Sequence, residues 1–117
     1  MLQRKNRLRE KKVFGTVFRF GKTVCDNNVC AKFYTTKTLQ TQIGVIAGVK
    51  MFKQATKRNS AKRILRTAIK KYLPDIQKPV NIVLYFQKKP ERLSLKKTSA
   101  AIENILKKAR VLEKKTL

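Results

Sequence analysis

The chain has 117 residues, of which 30 are Lys or Arg, six are Asp or Glu and none is His, for a formal net charge of +24. That length suits one domain with a modest core, and the missing imidazole removes the commonest general acid and base from the polypeptide's chemistry. A basic excess of this size is the footprint of a polyanion partner, nucleic acid before an anionic membrane, and self-repulsion predicts a free protein stabilised by salt or anions.

Residues 1–9 read as a basic arm that includes Asn6-Arg7-Leu8-Arg9. No apolar stretch follows it that would serve as a signal-peptide core. No run approaches the roughly 18 apolar residues of a membrane span. A cytoplasmic protein without a membrane partner is therefore expected. Val13, Phe14, Val17 and Phe18 recur at i, i+1, i+4 and i+5, which predicts a first helix ended by Gly21. Gly15 inside it costs about 1 kcal/mol relative to Ala. Asp26-Asn27-Asn28 is a turn signal between a short strand at 22–25 and a longer one over 29–36, where Val29, Ala31 and Phe33 alternate with Cys30, Lys32 and Tyr34.

Cys25 and Cys30 lack His partners for a metal site. A disulfide would imply an oxidising compartment that nothing else in the chain supports, so they read as two reduced, small apolar residues. A polar loop over 36–41 leads to a third strand over 42–49, in which Gly44 and Gly48 mark a bulge or a close backbone approach. A second helix begins near Lys57 and stops before Pro74. The apolar run 80–87 is a central strand. A last helix opens at Ser94 or Ser99, with Ile102, Ile105, Leu106, Ala109 and Leu112 at helical spacing. The tail 113–117 reads as frayed. The order α-β-β-β-α-β-α suggests an α+β fold, one mixed sheet with helices packed on it.

The second helix carries the sharpest pattern. At 100° per residue, Asn59, Lys62, Arg63, Arg66 and Lys70 fall on one side, and Ala61, Ile64, Leu65, Ala68 and Tyr72 on the other. Between Asp26 and Asp75 there is no acid and there are eleven basic residues, nine of them in 50–71. A solvated surface helix usually interleaves Glu with Lys; here nothing neutralises the stripe. Arginine's planar fork suits phosphate, and the Asn59 amide can read a base edge or a 2′-hydroxyl. Phe14 and Phe18 lie one turn apart, so one of them can present a face to an unstacked base, with Lys32 supplying charge beside it. The acids Glu10, Asp26, Asp75, Glu91, Glu103 and Glu113 form no pair at helical spacing, and no phosphate-binding glycine loop is present. Alone, the polypeptide is a poor catalyst and a good binder.

Several motifs together resemble the bacterial ribonuclease P protein family. Arg58-Asn59-x-x-Lys62-Arg63-x-x-Arg66 looks like its signature helix, Phe14-x-x-Val17-Phe18-Arg19-x-Gly21-Lys22 like its first-helix motif, and Asn6-Arg7-Leu8-Arg9 like its leader. Strand 80–87, Lys89-Pro90 and the final helix fit as well, so the resemblance spans residues 5–112. Two departures stand out: Ser60 replaces a second arginine after the Asn, and Val49-Lys50-Met51 replaces a strand-end Ser-Lys-Lys.

The resemblance implies a two-layer α-β sandwich with a four-stranded mixed sheet and an uncommon left-handed crossover around the basic helix. It implies a large catalytic RNA partner that carries Mg2+ or a similar divalent ion and cuts the 5′ leader from precursor tRNA. By position, Arg58, Asn59, Lys62, Arg63 and Arg66 would face that RNA. Phe14, Phe18, Lys32 and Lys50 would lie at the single-stranded leader, and Arg7, Arg9, Lys53 and Lys70 would add basic contacts. No catalytic residue and no metal ligand is expected in the protein, and the whole of 1–117 would form a single RNA-binding domain. The rival reading is a non-catalytic structural RNA binder such as a small ribosomal protein. A membrane-surface cationic protein is a weaker one, because the apolar helix faces have strands to pack on.

Overall fold

Two strands of alternating side chains, apolar on both sides, settle the architecture. The computed structural model describes residues 6–8, 11–35, 41–76 and 79–109. Arg9, most of the loop 36–41, Leu112 and the tail 113–117 lie outside the described residues. The elements are α1 (Lys11–Phe20), β1 (Lys22–Asp26), β2 (Val29–Tyr34), β3 (Gln42–Ile46), α2 (Ala55–Lys70), β4 (Asn81–Phe86) and α3 (Leu95–Lys108), with a 3-10 turn at Leu73–Asp75. The sheet order is β1-β2-β4-β3. The β1–β2 and β2–β4 pairs are antiparallel, and the β3–β4 pair is parallel. Parallel neighbours need a crossover, and α2 supplies it. No helix of the described residues is long and apolar enough to cross a membrane.

One face of the sheet presents Val29, Ala31, Phe33, Ile43, Val45, Ile82, Leu84 and Phe86 to the α2–α3 layer, which answers with Ala61, Leu65, Ala68, Ile69, Ile102, Ile105 and Leu106. This is the α-β sandwich of the sequence reading. Ile69 joins its buried stripe, and Tyr72 is only partly covered. On the opposite face, Val83 packs with Val17 of α1 and Leu8 of the arm, flanked by Val13, Phe14, Tyr34 and Ile46. α1 therefore lies across the side of the sheet that α2 and α3 leave open.

Local chemistry fixes the ends. The Ser94 hydroxyl accepts from the Lys97 amide at 3.2 Å and caps α3, as Ser N-caps do. Asn27 and Asn28 both adopt positive φ, 48° and 73°, the conformation a two-residue hairpin turn requires and Asn tolerates. The Asn28 side chain then ties the hairpin to the segment after β4: its Nδ2 donates to the Lys88 carbonyl at 2.8 Å, and its Oδ1 accepts from the Lys88 amide at 2.9 Å.

The hairpin corrects one expectation. Cys25 and Cys30 are not two reduced thiols but a disulfide. They stand directly opposite each other in the β1–β2 register, with Cα atoms 4.1 Å apart, the spacing of a close cross-strand pair. The sequence reading weighed compartment; the two-residue turn decides proximity.

Candidate nucleic-acid interface

The first candidate surface is the outward side of α2. Burial of Ala61, Leu65, Ala68 and Ile69 turns Asn59, Arg63, Arg66 and Lys70 into solvent and leaves Lys62 half-exposed. The carboxylates that make ion pairs among the described residues are spent on α3: Glu103 with Lys107, and Asp26 with Lys108 at 3.1 Å. Asp26 also accepts from Asn104 at 3.3 Å. No described acid pairs with a cation of α2. Ser60, where the resemblance leads one to expect arginine, donates its hydroxyl to the Thr56 carbonyl at 3.0 Å and adds no charge.

The basic arm adds to this surface from below. Arg7 forms a parallel bridge to Ile43, and the Leu8 amide donates to the Ile43 carbonyl at 2.8 Å. The Asn6 side chain donates to the Thr41 carbonyl at 2.7 Å. Leu8 is buried on the α1 side, so strand alternation sends Arg7 toward the α2 side. The Arg66 guanidinium is held below its usual range, first by desolvation and then by the charge of Arg7. An arginine does not deprotonate under such pressure, so the positive charge at Arg66 and Arg7 favours an anion beside it.

Arg58 behaves differently from its neighbours. Its Nη1 turns back and donates to the carbonyls of Phe52 at 2.9 Å and Lys53 at 3.1 Å. Lys50 and Lys53 are exposed on the segment between β3 and α2.

The second candidate surface is the rim of α1 on the other face. Phe18 is 43% exposed. Its ring lies 5.7 Å from that of Tyr85, tilted by 55°, and the Lys32 ammonium sits 4.6 Å from its centroid, within cation–π range. Desolvation pushes the Tyr85 phenol above its ordinary range. Phe14 takes the other role. Its ring occupies the space over Gly44, where any Cβ would collide with it, so Phe14 is packing and Phe18 is the presented face. Gly21 serves a similar purpose at the far end of the helix. It has no positive φ; a Cβ there would meet the carbonyls of Val17 and Phe33 and the side chain of Lys32. The close backbone approach expected of Gly44 is thus an aromatic ring seated on the strand.

The structure brings Phe18 and Lys32 together, seats Phe14 over Gly44, and puts Lys50 on the β3–α2 segment. Sequence reasoning missed Tyr85. It read 80–87 as a nearly all-apolar central strand, and of the residues 81, 83 and 85 that alternate onto the α1 face only Tyr85 is left half-buried. Replacing Gly44 with Ala is expected to lift Phe14 and destabilise the protein by about 1–2 kcal/mol, as overpacking does; denaturant melts check this, and an unchanged midpoint would contradict the seat.

Residues 2–110 match the family described as Ribonuclease P. The chain is 29% identical over 113 residues to the ribonuclease P protein component of Pseudanabaena sp. (strain PCC 6903), covering 96% of this chain and 97% of that one. It is also 29% identical over 103 residues to the protein component of Finegoldia magna, covering 88% and 89%. The RNase P protein of Thermotoga maritima, solved in complex with 1-(4-fluorophenyl)-2-thiourea, superposes with a TM-score of 0.75 at 27% identity, covering 86% of this chain and 97% of that one. The Staphylococcus aureus RNase P protein shares the fold, with a TM-score of 0.78 at 19% identity over 92% and 98%. The chain, with its helix of unneutralised cations and its separate aromatic–cation rim, belongs to the ribonuclease P protein family.

Proposed function

We propose that the chain is the protein subunit of the ribonucleoprotein endoribonuclease that removes the 5′ leader of precursor tRNA. In this reading α2 docks the catalytic RNA through Asn59, Lys62, Arg63 and Arg66, with Arg7 and Lys70 beside them. The rim of α1 holds the single-stranded leader through Phe18, Tyr85 and Lys32. The observation that carries the reading is the separation of two unlike surfaces on opposite faces of one sheet. One offers phosphate neutralisation on a rigid helix; the other offers a stacking ring with an adjacent cation.

The side chains act by binding and orienting. Neutralised backbone phosphates let two RNAs approach, and a base stacked on Phe18 fixes the leader next to its point of departure from the tRNA. Divalent ions such as Mg2+ belong to the RNA side in this proposal. Among the described residues no three of His, Cys, Asp or Glu gather as a metal site, and the hard oxygen donors that Mg2+ takes would come chiefly from RNA phosphates. In this proposal the protein acts beside its RNA in the cytoplasm, a compartment in which the Cys25–Cys30 pair would be open to reduction.

Reconstitution tests this. The chain, a bacterial ribonuclease P RNA and precursor tRNA are mixed at low magnesium, and 5′ cleavage is expected to exceed that of the RNA alone. Absence of any gain would overturn the proposal in favour of a structural RNA binder.

A further inference from the structure

The resemblance groups Arg58 with the cations that face RNA, but its geometry sets it apart. Both carbonyls that its Nη1 reaches, those of Phe52 and Lys53, precede the first turn of α2. The Gln54 N-cap contributes no side-chain cap; its carbonyl accepts from the amides of Lys57 and Arg58, both at 3.1 Å. Phe52 is anchored on its own account. Its ring is buried and meets Phe86 edge-on at 6.3 Å, and its amide donates to the Gly48 carbonyl at 2.9 Å. Arg58 therefore clasps the end of a folded segment, 48–54, to the helix that follows. Lys50 and Lys53 ride on that segment.

We propose that Arg58 is a positioning residue, which holds Lys50 and Lys53 in fixed relation to Asn59, Lys62 and Arg63 instead of adding a phosphate contact of its own. The inference rests on the RNA-docking reading for its consequence, but not for its geometry. Both bonds leave one nitrogen, Nη1, whose two N–H donors serve the carbonyls of two consecutive residues.

The test has two arms. In the free protein, hydrogen exchange compares wild type with Arg58→Ala, and with Arg58→Gln should the first variant fold poorly. The amides of Phe52, Lys57 and Arg58 are expected to exchange about tenfold faster, while those of β4 keep their protection, the pattern of a local opening. In the second arm, affinity for the catalytic RNA is measured over a salt series. Arg58→Ala is expected to weaken binding about five- to tenfold with the slope of log K against log salt unchanged, and to have no further effect in a Lys50→Ala/Lys53→Ala background. A slope reduced by about 0.7–0.9, the mark of one lost phosphate contact, together with full additivity, would make Arg58 a direct ligand and overturn the proposal. Unchanged exchange would overturn it too, whatever the RNA does. Should the protein bind no RNA, the docking reading fails, while the exchange arm still decides the clasp.

Discussion

Lys62, Arg63 and Arg66 replaced together by Ala are expected, on the proposed function, to cost the protein roughly 150-fold in affinity for a ribonuclease P RNA at physiological salt. Hydrogen bonds to charged groups contribute about 1.5–3 kcal/mol each. Exposure on the outer side of α2 discounts that toward about 1 kcal/mol, and about 3 kcal/mol in all corresponds to that ratio. The salt dependence is the sharper readout. Three contacts on duplex phosphates remove roughly 2.7 from the slope of log K against log salt. Folding is expected to survive, because the buried stripe of Ala61, Leu65, Ala68 and Ile69 is untouched. Removing like charges from a chain of +24 even relieves self-repulsion. Binding measured from low to moderate salt checks this; a triple variant with the wild-type slope would mean that the stripe does not touch phosphate.

Phe18→Ala is expected to weaken binding of leader-bearing precursor about 5- to 150-fold and to spare mature tRNA. The range is the worth of one base stacked on an aromatic side chain, about 1–3 kcal/mol. The ring's present neighbours, Tyr85 and Lys32, do not enclose it, so little core is lost with it. Phe14→Ala supplies the contrast: its ring fills the seat over Gly44, and its removal is expected to show in melting curves and not in leader discrimination. Paired binding assays on precursor and mature tRNA decide the matter, and equal loss on both substrates would return Phe18 to a packing role.

Periodicity gave away much of this molecule before its structure was in view. The back-to-back stripes of α2, the order of helices and strands, and the paired asparagines of the hairpin all follow from local side-chain chemistry. What stayed hidden depends on register and on three-dimensional neighbours. Phe14 and Phe18 share a helix face in the sequence; only the position of Gly44 separates the seated ring from the presented one. Tyr85 was masked by a strand apolar on both sides. Cys25 and Cys30 needed the ladder to bring them opposite, and Arg58 looked like one more cation until its guanidinium was found on two carbonyls. Motif resemblance gave residue types, and the structure divided them into exposed side chains and packed or bonded ones.

The two glycines under α1 have one more consequence. The helix meets the sheet where a strand offers no side chain, at Gly44, and where its own end offers none, at Gly21. At Gly44 the Phe14 ring rests on bare strand, and at Gly21 backbone meets the Phe33 carbonyl. The height of the rim that carries Phe18 is thus set by one seated ring and by backbone, and its ordering cost falls on folding and not on binding. On the proposed function, a site built that way would meet each new leader in the same shape, so differences among leaders are expected as residence time, with arrival rates nearly constant.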